Sequence, residues 1–112
     1  MTIYNGLFPL QVNKISGVSS GILSTFNPTN IKTSYISNTS TPVFSGIAYT
    51  DATVTLLVTN KNNTKQQKSY SAKAINSLWK ITPTLYSNSI IDLWVQKDDK
   101  YNELPAFQIT IQ

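Results

Sequence analysis

From residue 53 to 59 the chain alternates. Val54, Leu56 and Val58 fall on one face of an extended backbone, and Thr53, Thr55 and Thr59 fall on the other. Leu57 interrupts the pattern once. A period of two commits this stretch to a strand with one buried face. Just upstream, Phe44, Gly46 and Ala48 share a face opposite Val43, Ser45, Ile47 and Tyr49. Pro42 stands at that strand's first residue, where a missing N–H is tolerated. The residues between, Tyr49-Thr50-Asp51-Ala52, read as a turn.

The same grammar continues along the chain. Short strands are expected at 31–36, 42–48, 52–59, 66–75, 78–82, 89–97 and 104–112, with no amphipathic helix of useful length. Asn60-Lys61-Asn62-Asn63, Tyr86-Ser87-Asn88 and Asp98-Asp99-Lys100-Tyr101-Asn102 supply the turns, using side chains that tolerate left-handed backbone. Ile91, Leu93 and Val95 are expected to face the core, with Asp92, Trp94 and Gln96 outward. In the last strand Phe107, Ile109 and Ile111 form the inward set. At 112 residues and 40% apolar content this is one domain with a single modest core. The fold class is all-β, an antiparallel sandwich of about seven strands.

Residues 1–30 lack sustained alternation. They carry Ile3, Tyr4, Leu7, Phe8, Leu10, Val12 and Ile15 among Gly, Ser and Pro, a density of apolar groups too high for a solvated linker. They read as an extended N-terminal arm, with the sandwich at 31–112.

Thr41-Pro42-Val43-Phe44-Ser45-Gly46 followed by Asp51-Ala52-Thr53-Val54-Thr55-Leu56 resembles the bacterial Ig-like repeat of surface adhesins, found also in some phage structural proteins. Asn76-Ser77-Leu78-Trp79-Lys80-Ile81-Thr82 and Asp98-Asp99-Lys100-Tyr101-Asn102 resemble that family's tryptophan strand and its last turn. The resemblance covers residues 31–112 and implies an immunoglobulin-like sandwich with no catalytic site. Two departures stand out: Asn76-Ser77-Leu78 replaces the family's Asp-Gly-Thr, and Tyr101 takes a glycine position.

Chemistry is narrowed by what is missing. The chain has no His and no Cys, so Ser-His-Asp and Cys-His arrangements and the common zinc and haem ligands cannot be built. No catalytic residue, cofactor or metal is expected. Asp98, Asp99, Asn102 and Glu103 offer oxygens of the kind calcium takes, but they read more simply as a turn and solvated charges. The net charge of +4 comes entirely from lysines, scattered except for Lys61, Lys65 and Lys68 in one polar loop. Without arginine for bidentate phosphate or guanine contacts, no nucleic-acid partner is expected. No stretch reaches transmembrane length, and no basic region followed by an apolar one opens the chain, so neither membrane insertion nor export is expected.

The sequence therefore directs attention to surfaces. An outward Trp94, with Asp92 and Gln96 beside it, covers the sheet edge, lies under residues 1–30, or forms a partner or glycan surface. Trp79, sharing a face with Ile81, reads as packing. Ile3, Tyr4, Leu7, Phe8 and Leu10 are the expected anchors of the arm in a larger assembly. The expected role is a non-enzymatic attachment module on a virion exterior, a capsid or tail decoration protein whose partners are other structural subunits. An adhesin repeat at a bacterial cell surface is the alternative. A second alternative, a carbohydrate-binding module for a host surface glycan, requires Trp94, Tyr49, Tyr86 and Tyr101 to line one face.

Overall fold

In the computed structural model, which describes residues 3–4, 10–18 and 34–112, two β-sheets pack face to face and no helix forms among those residues. The described residues form ten strands: β1 (Ile3–Tyr4), β2 (Leu10–Ile15), β3 (Ser34–Ser37), β4 (Phe44–Ala48), β5 (Thr53–Asn60), β6 (Gln67–Lys73), β7 (Leu78–Ile81), β8 (Asn88–Lys97), β9 (Lys100–Glu103) and β10 (Phe107–Ile111). The small sheet runs β2-β4-β7, with both pairings antiparallel.

The large sheet is centred on β8. It pairs antiparallel with β5 along one side, and β5 in turn pairs with β6. Along its other side β8 carries β9 and β10 in succession, also antiparallel. Two N-terminal strands extend that side in the parallel sense, β1 on β9 and β3 on β10.

All seven expected strands form, and three more join them. One of the three is a correction to the N-terminal arm. Residues 10–18 belong to the sandwich: β2 is an edge strand of the small sheet, and Leu10, Val12, Ile15 and Val18 are buried in the core. Leu10, expected among the anchors of the arm, is 2% exposed and packs in the core of its own chain. The sequence conceals this strand because its register shifts between Val12 and Lys14, so the inward residues stand two and then three apart. Leu7 and Phe8 lie outside the described residues, as do the side chains of Ile3 and Tyr4.

The second correction concerns the last hairpin. The expected five-residue turn at 98–102 is a two-residue one, Asp98-Asp99, since Lys97 already pairs with Lys100. The chain then forms β9, breaks at Leu104-Pro105-Ala106, and resumes as β10. Proline there has no N–H to give a ladder, while the Leu104 N–H still reaches the Leu93 carbonyl at 3.0 Å.

Between the sheets the inward faces meet as the alternation requires. Val54, Leu56 and Val58 from β5, Ile91, Leu93 and Val95 from β8, and Phe107 and Ile109 from β10 pack against Phe44, Trp79 and Ile81 of the small sheet. Tyr35 of β3 closes one end, edge-on to Phe107 with ring centres 5.6 Å apart. The turn leading into β7 is a tight hairpin in which Ile75 and Leu78 exchange both backbone hydrogen bonds. Its two central residues, Asn76 and Ser77, both have positive φ, as a two-residue turn between twisted strands demands.

Gly46 controls how closely the small sheet can assemble. A Cβ at this position would lie 1.8 Å from the Gln11 carbonyl oxygen, a backbone atom of the neighbouring strand. The same oxygen accepts the Trp79 indole N–H at 3.1 Å, so one carbonyl of β2 is held between the two other strands of its sheet. Gly46→Ala forces β2 away from β4 and breaks that bond. We expect a loss of about 3 kcal/mol in urea denaturation, whereas a loss below about 1 kcal/mol would show that β2 is not held as described.

Candidate functional site

Two outward faces, one on each sheet, gather the surface groups that sequence and structure single out. The first is the outside of the large sheet. With Ile91, Leu93 and Val95 buried, β8 turns Asp92, Trp94 and Gln96 outward; Trp94 and Asp92 are half-buried there and Gln96 is exposed. All three sequence-derived surface residues thus lie on one face. Trp94 stands between Thr55 of β5 and Glu103 of β9, and Asp92 lies opposite Leu57, the residue that interrupts the alternation of β5.

Two residues the sequence reading left in or beside a turn complete this face. Strand β9 sets Tyr101 opposite Gln96 and Glu103 opposite Trp94. The Tyr101 hydroxyl donates to Glu103 Oε2 at 2.8 Å. Partial burial, followed by the bond to Glu103 and the nearby charges of Glu103 and Asp92, pushes the Tyr101 pKa up to about 12. Burial, and then repulsion from Glu103, raises the Asp92 carboxyl above its ordinary 3.8. The face is therefore a tryptophan and a tyrosine with two carboxylates that repel each other. The alternation of β9 was the signal that could have found Tyr101 and Glu103, had Asp98-Asp99 been taken as the whole turn.

The four aromatic residues required of a glycan platform do not come together. Tyr101 shares the face of Trp94, but Tyr49 lies in the β4–β5 turn beside Lys97, Asp98 and Lys100. Tyr86 packs against the core, with Lys68 Nζ 4.6 Å from its ring centre. The oxygen donors weighed for calcium also diverge. Asn102 is buried, and its Oδ1 accepts the Glu103 backbone N–H at 2.9 Å. Among the described residues no group of three or more acidic side chains is placed to hold a metal ion. Of the lysines expected in one polar loop, Lys61 Nζ donates to Gln108 Oε1 at 3.0 Å, and Lys68, which belongs to β6, is turned to the Tyr86 ring.

The second face is the outside of the small sheet, where a groove of about 730 Å³ crosses β4 and β7. Ile47, Ile75 and Leu78 give it an apolar lining, to which Lys73 and Lys80 add two lysines. Ile75 and Leu78 are 70% and 62% exposed, the two most open large apolar side chains of the described residues. Leu78 and Lys80 point outward because Trp79 and Ile81 point into the core. That signal is present in the sequence: an inward Trp79 implies an outward Leu78.

Compared with known proteins, the chain matches no family model, no curated protein and no solved structure.

The burial of Asp92 and its repulsion from Glu103 have a measurable consequence. A carboxyl whose folded pKa is raised costs no stability below its unfolded pKa and costs progressively more as pH rises from there to its folded pKa, above which the cost is constant. Asp92→Asn is therefore expected to raise the melting temperature at neutral pH. The gain should fade as pH falls well below 3.8, where the wild-type carboxyl is protonated in both states. A variant equally or less stable than wild type at neutral pH would contradict this reading of the face.

Proposed function

We propose that this chain is a non-enzymatic attachment module built on an immunoglobulin-like sandwich, and that it decorates the exterior of a virion, on capsid or tail. The observation that carries the attachment role is the groove on the small sheet. Ile75 and Leu78 stand open to solvent and, with Ile47, give the groove its apolar lining. Exposed apolar groups gathered in one concave patch mark a contact surface.

Strand order supports the immunoglobulin-like part of the proposal. Taking β2, β4 and β7 as strands A, B and E, and β5, β8 and β10 as C, F and G, divides the chain between sheets as that fold does. The resemblance carried by residues 41–56, 76–82 and 98–102 supports the same reading and, with it, the virion setting. Other structural subunits of the particle are the proposed partners. Anchoring is assigned to the surface of the sandwich, since Leu10 is committed to the core.

The test is co-sedimentation. The chain, tagged within its exposed 61–64 loop, is produced together with the particle proteins encoded beside its gene, and the lysate is resolved on a density gradient. The tag is expected in the particle band at a fixed ratio to the major shell or tail protein. A tag that remains wholly at the top of the gradient, with particles assembled below it, would overturn the proposal.

A further inference from the structure

We infer that the two outward faces are complementary and join copies of this chain head to tail, the Trp94 face of one copy seated on the β4–β7 groove of the next. The inference rests on the reading of the chain as a structural module and names one partner for its surfaces. The two faces differ in what they carry. The groove is lined by Ile47, Ile75 and Leu78 together with Lys80 of β7 and Lys73 at the end of the edge strand β6, and no carboxylate is among the residues that line it. On the opposite side of the sandwich, Trp94 and Leu57 form an apolar surface beside Asp92 and Glu103, two carboxylates with each other as near neighbours. Seating one face on the other covers Ile75 and Leu78 and brings lysine to carboxylate, relieving the repulsion on the acidic side.

Other occupants fit the charges less well. Residues 1–33 of the chain contain no Asp or Glu and so offer Lys73 and Lys80 no carboxylate. A symmetric contact of groove on groove would set those lysines against their copies. A contact between two different patches on opposite sides of one molecule does not close on itself as a twofold dimer. It propagates as a row, or as a ring if the rotation between copies closes.

Sedimentation velocity on the full-length chain tests this directly. The average mass of the wild type should rise with concentration and fall back on addition of salt, which screens the lysine–carboxylate pairs. Leu78→Glu spoils only the groove and Trp94→Lys only the opposite face, so each alone should weaken self-association at least about tenfold. Mixed in equal amounts, the two should form a dimer and stop there, because one intact face of each kind remains to meet. Should Trp94→Lys fail its melting control, Asp92→Lys mixed with Lys80→Glu replaces the pair: each is weakened alone, and the mixture regains association through the exchanged charges.

A wild-type chain that stays monomeric up to its solubility limit would overturn the inference. So would a wild-type dimer that does not grow, or a mixture of the two variants that stays monomeric. These outcomes are separable from the fate of the attachment reading. A chain that enters particles yet is monomeric alone defeats only the head-to-tail contact, and one that self-associates but never enters particles defeats only the virion role.

Discussion

One carbonyl oxygen, that of Gln11, sits where the three strands of the small sheet come together. It lies in space that a side chain at position 46 would occupy, and it accepts the indole N–H of Trp79. Gly46 is thus the condition for β2 to approach β4, and Trp79 is fixed in the core by an atom 68 residues away in sequence. Leu78 and Lys80 are turned outward by the same alternation that turns Trp79 inward. The groove therefore inherits its geometry from a contact made on the buried side of the sheet. A hydrogen bond of this kind contributes about 1 kcal/mol net; its larger effect is to fix register.

The large sheet has a different logic. Its centre is β8, whose ten residues pair with β5 on one side and with β9 and then β10 on the other, so its inward side chains are closed off from solvent along nearly its whole length. Outward, the same strand has room for Trp94 and for a carboxylate beside a second carboxylate. Burying charge without a cation is costly, and Asp92 meets part of that cost in the raised affinity of its carboxyl for a proton. The groove across the small sheet has Lys80 of β7 and Lys73 of the edge strand β6 among its exposed apolar groups.

Much of this was legible in the sequence wherever a strand keeps strict alternation. The inward sets of β5 and β8, the turn at 49–52, the burial of Trp79 and the outward placement of Trp94, Asp92 and Gln96 all follow from a period of two. What escaped had local causes. A bulge in β2 changes the spacing of Leu10, Val12 and Ile15, so a core strand reads as an irregular arm. Asp98 takes a positive φ without being glycine, which shortens the last turn and frees Lys100–Glu103 to be a strand; Tyr101 and Glu103 then join the Trp94 face. The parallel pairing of β3 with β10 links residues more than seventy apart and leaves no mark on either segment alone. The groove has another cause: it depends on three chain segments, at 13, 45–47 and 73–80, that meet only in the fold.

The account stands or falls on whether unlike faces meet, and chemical cross-linking reads that contact most directly. The chain contains no cysteine, so a single thiol can be placed on either face, at Thr55 beside Trp94 or at Ser45 in the groove. Each variant is treated alone and in mixture with a short bismaleimide. The account predicts abundant cross-linked dimer from the mixture of Thr55→Cys with Ser45→Cys, and little from either variant alone. Cross-linking of like with like at equal or greater yield, or none above the level of random collision in the mixture, would contradict it.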